Sequence, residues 1–153
     1  MIQRYIRWYE KEGDAFIGEE PFYLSTIELQ FIFSREANYP LLDCYQIDND
    51  QKDNFVRILL HRFDLDKFDY FLESHEAKGY LHELWSENEV EQLFCLAGRG
   101  GEEARSQMEP DAELIWSISA TSHYEAMEKY YQHMGWGYYA SEFLVDRFPY
   151  DNK

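Results

Sequence analysis

The chain has 153 residues, a length that fits one ordinary domain and buries a sizeable core without disulfide or metal staples. Its composition is 45% apolar and 18% aromatic, with 13 Tyr and 11 Phe, which excludes a disordered chain. Thirty acidic residues against 14 basic ones give a formal charge of −16, a field that repels nucleic acid and anionic membranes and attracts basic proteins. Residues 1–76 carry 16 acids and 8 bases, and residues 77–153 carry 14 and 6, so each half contributes −8 and the charge is not an acidic tail. Two cysteines, Cys44 and Cys95, make no disulfide framework; the expectation is two reduced, buried, inert thiols in a cytoplasm. The start Met1-Ile2-Gln3-Arg4-Tyr5 has no signal-peptide core, and no apolar run reaches the ~18 residues that span a bilayer.

In chain order, Tyr5–Tyr9 and Ala15–Gly18 flank a polar turn with Gly13, which predicts a β-hairpin over 4–18. Ser25-Thr26-Ile27-Glu28 matches the capping box, and Leu24, Ile27 and Phe31 follow at helical spacing, so a helix is expected at 26–34. Leu42 to Ile47 reads as a short strand. Asp48, with Gln51 three positions on, caps a helix at 49–60 whose apolar face is Phe55, Val56, Leu59 and Leu60. Phe68–Leu72 reads as a fourth strand.

The second half opens near Lys78-Gly79. Val90, Leu93, Phe94 and Ala97 share a helical face that Gly98 would close. Leu114–Ala120 is the clearest strand of this half. Ser122-His123-Tyr124-Glu125 is a second capping box, opening a helix at 122–134 that Gly135 stops. The pattern predicts an α+β protein: an antiparallel sheet begun by an N-terminal β-hairpin, with helices packed on it. One globular domain over 1–153 is expected, with a soft boundary that would set off subdomains 1–76 and 80–150.

Motifs for chemistry fail one by one. His82-Glu83 lacks the second His of a zinc helix, and His123 and His133 stand ten apart. The acids after Asp48 and Asp64 lack the Gly and Glu that a calcium loop needs at its sixth and twelfth positions. Gly98-Arg99-Gly100-Gly101 has no Lys after it and two carboxylates beside it, so it reads as a turn and not a phosphate loop. Cys44 sits beside Asp43, which disfavours a thiolate. No catalytic residue, metal site or cofactor is expected.

The unusual feature is Tyr130–Tyr139, where Gly135 and Gly137 frame Trp136 among four tyrosines. The tight turn either folds Trp136 onto the core, the reading given more weight, or presents Tyr131, His133, Trp136, Tyr138 and Tyr139 as an aromatic recognition surface.

The stretches Arg4–Lys11 with Leu42–Tyr45, and Ala112–Trp116 with Glu125–Tyr130, resemble parts of short uncharacterised bacterial proteins. The first pair resembles a domain-of-unknown-function family of hairpin-initiated small proteins. The resemblance covers about half the chain, carries no catalytic motif, and implies a bacterial intracellular protein without naming an activity.

Charge, rings and missing motifs together favour a non-enzymatic acidic interaction protein, an immunity-type inhibitor that masks a basic partner such as a nuclease. The alternatives are a housekeeping adaptor and a small-molecule-binding or enzymatic domain with an aromatic pocket near Trp136 and His133.

Overall fold

In the computed structural model, which describes residues 1–88 and 90–152, two antiparallel sheets share the chain between its halves. β1 (Ile2–Glu10) and β2 (Phe16–Phe22) form the expected hairpin, turning through Gly13 and Asp14 at positive φ. β4 (Phe68–Glu76) pairs with β1 along its full length, from Ile2↔Glu76 to Glu10↔Phe68, and β3 (Tyr45–Ile47) adds on its far side. The order is β2-β1-β4-β3.

Strand period two decides the faces of this sheet. Ile6, Tyr70, Leu72 and Ile47 point one way and are sealed by Leu29 of α1 (Thr26–Ile32) and Phe55 of α2 (Asn49–Phe55), all essentially inaccessible. At roughly 1.5–3 kcal/mol for each large apolar side chain buried, this cluster is the main stabilising element of the first half. The predicted capping box of Ser25 with Glu28 forms, and the Asp48 cap closes into a box with Gln51. The box expected at Ser122 is only half made, since Ser122 accepts the Glu125 amide while the Glu125 carboxylate turns to Thr121.

The second half holds β5 (Tyr80–Glu87), β6 (Glu91–Leu96) and β7 (Glu113–Ala120) in the order β6-β5-β7. A 3₁₀ turn, Gly98–Gly101, leads into the single-turn α3 (Glu102–Arg105). α4 (His123–Met134) lies on this sheet, with Tyr130 stacked on Phe94 at 4.6 Å and His133 on Trp116 at 4.2 Å. The architecture is α+β, begun by the hairpin as expected.

Four details of the sequence reading are corrected. The apolar set Val90, Leu93, Phe94 and Ala97 belongs to no helix: β6 pairs residue by residue with β5, from His82↔Leu96 to Glu87↔Glu91. Over six residues an apolar run fits a strand as well as a helix face, and backbone pairing decides. The strand expected from Leu42 begins only at Tyr45, because Leu41 turns into the core at φ 50 and takes the chain out of extended geometry. Cys44 is consequently exposed, and Cys95 half-buried, so neither is the buried thiol expected. Finally, α2 stops at Phe55 and the remainder to Leu60 is turn, with Val56 and Leu60 about 40% exposed.

Polar groups join the two sheets. Thr121, just beyond β7, places its hydroxyl 2.6 Å from Gln3 Oε1 on β1, and its amide donates to Glu125 Oε2 at 2.7 Å. Lys129 bonds Glu125 at 2.6 Å and lies over the Tyr23 ring. Arg4, 8% exposed, reaches Thr26 Oγ1. Burial pushes the Tyr23 hydroxyl up to about 12, so it stays a neutral neighbour of these charges.

Candidate functional site

α4 sets the aromatic segment in place. Ser122 caps its start, accepting from the Glu125 amide at 3.1 Å. Gly135 ends it in the left-handed region at φ 71, and the amides of Gly135 and Trp136 return to the carbonyls of Gln132 and Tyr131. This is the Schellman pattern, and Gly137 at φ 87 turns the chain again. No atom crowds a Cβ at either glycine, so the requirement is the dihedral and not the space.

Beyond the turns, two α4 side chains clamp the main chain of Tyr139. Glu128 Oε2 accepts its amide at 2.6 Å, and the Tyr124 hydroxyl donates to its carbonyl at 3.1 Å. Burial holds the Glu128 carboxyl above the usual carboxylate range, against the lowering effect of the Tyr139 amide and the Gln132 side-chain amide. The Tyr139 ring then meets Tyr131 at 5.2 Å and Tyr124 at 5.5 Å.

Trp136 stands edge-on to Tyr130 at 5.5 Å and to Tyr131 at 5.4 Å, yet keeps 55% of its surface in solvent. The burial given more weight from sequence is therefore wrong. Gly135 sends the chain away from the sheet instead of back under it, and Tyr130 already fills the place beside Phe94.

Of the five predicted residues, Tyr131, Trp136 and Tyr139 come together. His133 leaves the group, since two residues along a helix is about 200° of rotation, and lies flat on Trp116. Tyr138, 58% exposed, crosses to the first half and receives the Arg57 guanidinium 4.0 Å above its ring. Sequence reading missed a further exposed apolar run that follows in the chain: Phe143 is 70% and Val145 58% exposed. The signal was the run Phe143-Leu144-Val145 between Glu142 and Asp146.

A second concavity lies between β5, β6, α4 and the C-terminal residues, a cleft of about 380 Å³ lined by His82, Phe94, Cys95, His123, Asp146 and Tyr150. His82 Nδ1 faces the Tyr80 carbonyl at 3.0 Å, so that nitrogen carries the proton, and Nε2 accepts from the Tyr150 hydroxyl at 2.8 Å. Burial lowers the His82 pKa and raises that of Tyr150, which favours both neutral forms. Both His82 nitrogens are thus engaged, Nδ1 by its own strand and Nε2 by the C-terminal Tyr150, and neither is presented as a base. Among the described residues no three His, Cys, Asp or Glu side chains group to hold a metal, and no helix is long and apolar enough to cross a membrane.

Among known proteins, residues 3–73, about half the chain, match the family described as "Domain of unknown function (DUF7683)". The matched span contains the four-stranded sheet nearly to the end of β4, with α1 and α2. No curated protein and no solved structure matches the chain. Over its first sheet the chain is similar to this family of unknown function.

Proposed function

We propose that the protein is a non-enzymatic interaction protein that captures a basic protein partner, in the manner of an immunity-type inhibitor masking a nuclease. The observation that carries this reading is Trp136, 55% exposed on a clamped, charge-free segment within an acidic surface. Among the described residues 18 acidic side chains are exposed against 7 basic ones. Such a field steers a basic protein into encounter, and an exposed Trp whose backbone is already fixed anchors it with little further ordering cost. The same field disfavours nucleic acid and anionic membranes as partners. A reducing bacterial cytoplasm suits the exposed Cys44.

The experiment is capture from lysate with salt-graded elution, repeated with Trp136→Ala. The partner is expected to be basic, and capture to weaken as salt rises, since exposed charges are screened beyond ~8 Å at physiological ionic strength. Loss of a central ring commonly costs about 2 kcal/mol or more, close to a 30-fold loss of affinity. The thermal melt of the variant should stay near that of the parent, because the ring is more than half exposed. Capture indifferent to salt would favour the adaptor reading.

A further inference from the structure

An unpaired strand edge is a template for another strand, and folded proteins cover or charge such edges. Among the described residues four edges exist: β2, β3, β6 and β7. β2 contains Pro21, which has no amide hydrogen, beside Glu19 and Glu20. β3 is three residues long. β6 is covered by the turn at 98–101 and α3, from which Arg105 Nη1 donates to the Leu96 carbonyl at 2.7 Å. β7 differs from all three. It is eight residues long, contains no Pro or Lys, and carries no formal charge from Leu114 to Ala120.

The direction of its backbone follows from two bonds. Leu81, opposite Ser119, gives its carbonyl to the Ala97 amide on the β6 side, so Leu81 and Ser119 do not bond each other. The Ser119 carbonyl instead receives Lys129 Nζ at 2.9 Å. The main-chain groups of Ser119 therefore point away from the sheet, and period two aims those of Ser117 the same way. Ser117 and Ser119 are exposed, and Leu114 and Ile115 beside them are 48% and 49% exposed. Among the described residues nothing pairs with this side of β7 apart from Lys129 at Ser119.

We propose that β7 pairs antiparallel with β7 of a second copy, joining two three-stranded sheets into one across a two-fold axis at Ser117. Charge selects this occupant. Copies with a net charge of −16 repel, so self-association is confined to a stretch without carboxylates, and β7 from Leu114 to Ala120 is such a stretch. Centring the pair on Ser117 sets two small side chains opposite each other. It also carries the two Glu113 side chains to opposite ends, about 27 Å apart at ~3.4 Å per residue, beyond the reach of screened repulsion. A basic peptide would gain no ion pair along the uncharged stretch from Leu114 to Ala120.

Sedimentation of the full chain across micromolar to several hundred micromolar concentrations, at low and high salt, tests the proposal. The expected result is a monomer–dimer equilibrium that strengthens with salt, because the one charge at the joining edge, Lys129, is already paired with Glu125 and the opposing repulsion is screened. That sign is opposite to the salt dependence of basic-partner capture, so the two readings fail separately. Ser117→Pro removes the central outward donor and should leave a monomer at every concentration. Ser117→Glu sets like charges face to face and should do the same without changing backbone chemistry, which keeps the test decisive if the proline variant misfolds. Hydrogen exchange at the Ser117 amide should slow as concentration rises. A parent chain that remains monomeric throughout, or a dimer that both variants form as readily, overturns the proposal.

Discussion

Arg147 and Glu20 meet with Nη1 3.6 Å from Oε1, each side chain only 3% exposed, although they come from opposite ends of the chain. Neither depends on the other alone. Glu20 also accepts the amides of Leu60 and His61 at 2.6 and 2.8 Å, closing the turn after α2. Arg147 donates to the Ile58 carbonyl in that same turn and lies 4.3 Å above the Tyr124 ring of α4. One guanidinium thus ties the C-terminal segment to both sheets' helices, while its Nε finds no acceptor among the described residues.

Removing one member of a buried pair strands the other charge, so Arg147→Ala is expected to cost about 3–5 kcal/mol in denaturant unfolding. Arg147→Met with Glu20→Gln removes both charges, keeps bulk, and leaves an amide oxygen for the Leu60 and His61 donors. The double change should cost less than the sum of its single changes, because neither charge is left alone. Strict additivity would mean that the pair is not coupled.

Glu128 gives a prediction with a pH sign. Its folded pKa is raised by burial above the ordinary value near 4.3, so in that interval the folded state holds the proton more tightly than the unfolded chain. The parent therefore loses stability as pH rises through the interval. Glu128→Gln keeps an acceptor for the Tyr139 amide and does not ionise, so its stability relative to the parent should increase from about pH 4.5 to pH 7. Glu128→Ala leaves that amide without its acceptor and is expected to cost roughly 1–3 kcal/mol, with the Trp136 fluorescence shifting as the segment loosens. A flat difference between parent and Glu128→Gln across that range would refute the buried-carboxyl account.

Local signals proved readable and long-range ones did not. Ser25, Asp48 and Ser122 act through amides within three residues, so the starts of α1, α2 and α4 were legible. Which helix face turns inward depends on where the sheet lies. Ile27 and Phe31, at helical spacing, are 78% and 84% exposed, while Leu29 and Gln30 face the core. Gln30 is tolerated there because its Nε2 donates to the carbonyls of Ala37 and Tyr39, a pairing no periodicity reveals. The aromatic segment was legible as a set of rings around two glycines. Its exposure was not, since that rests on the Glu128 and Tyr124 clamps and on Tyr130 having taken the inner position.

The last prediction concerns acid and His82. Burial, with a smaller contribution from His123, lowers its pKa, against the raising effect of the Tyr80 carbonyl. In the unfolded chain its ordinary value is near 6.5. Above that pH both states are neutral and the residue adds no pH dependence. As pH falls through 6.5 the unfolded chain takes up the proton first, so stability declines until the folded-state pKa is reached. His61, lowered by burial in its stack on Trp8, acts in the same direction. His82→Gln forfeits the imidazole contacts with Tyr80 and Tyr150, and should be less stable than the parent at pH 8. It should also lose less on acidification, so that the gap narrows between about pH 7 and 5, and adding His61→Gln should narrow the decline again. Urea unfolding at closely spaced pH values reads the gap directly, with the remaining titrating groups common to every variant. A gap that widens on acidification would mean that protonated His82 is held favourably in the folded state, contrary to its burial behind Tyr150.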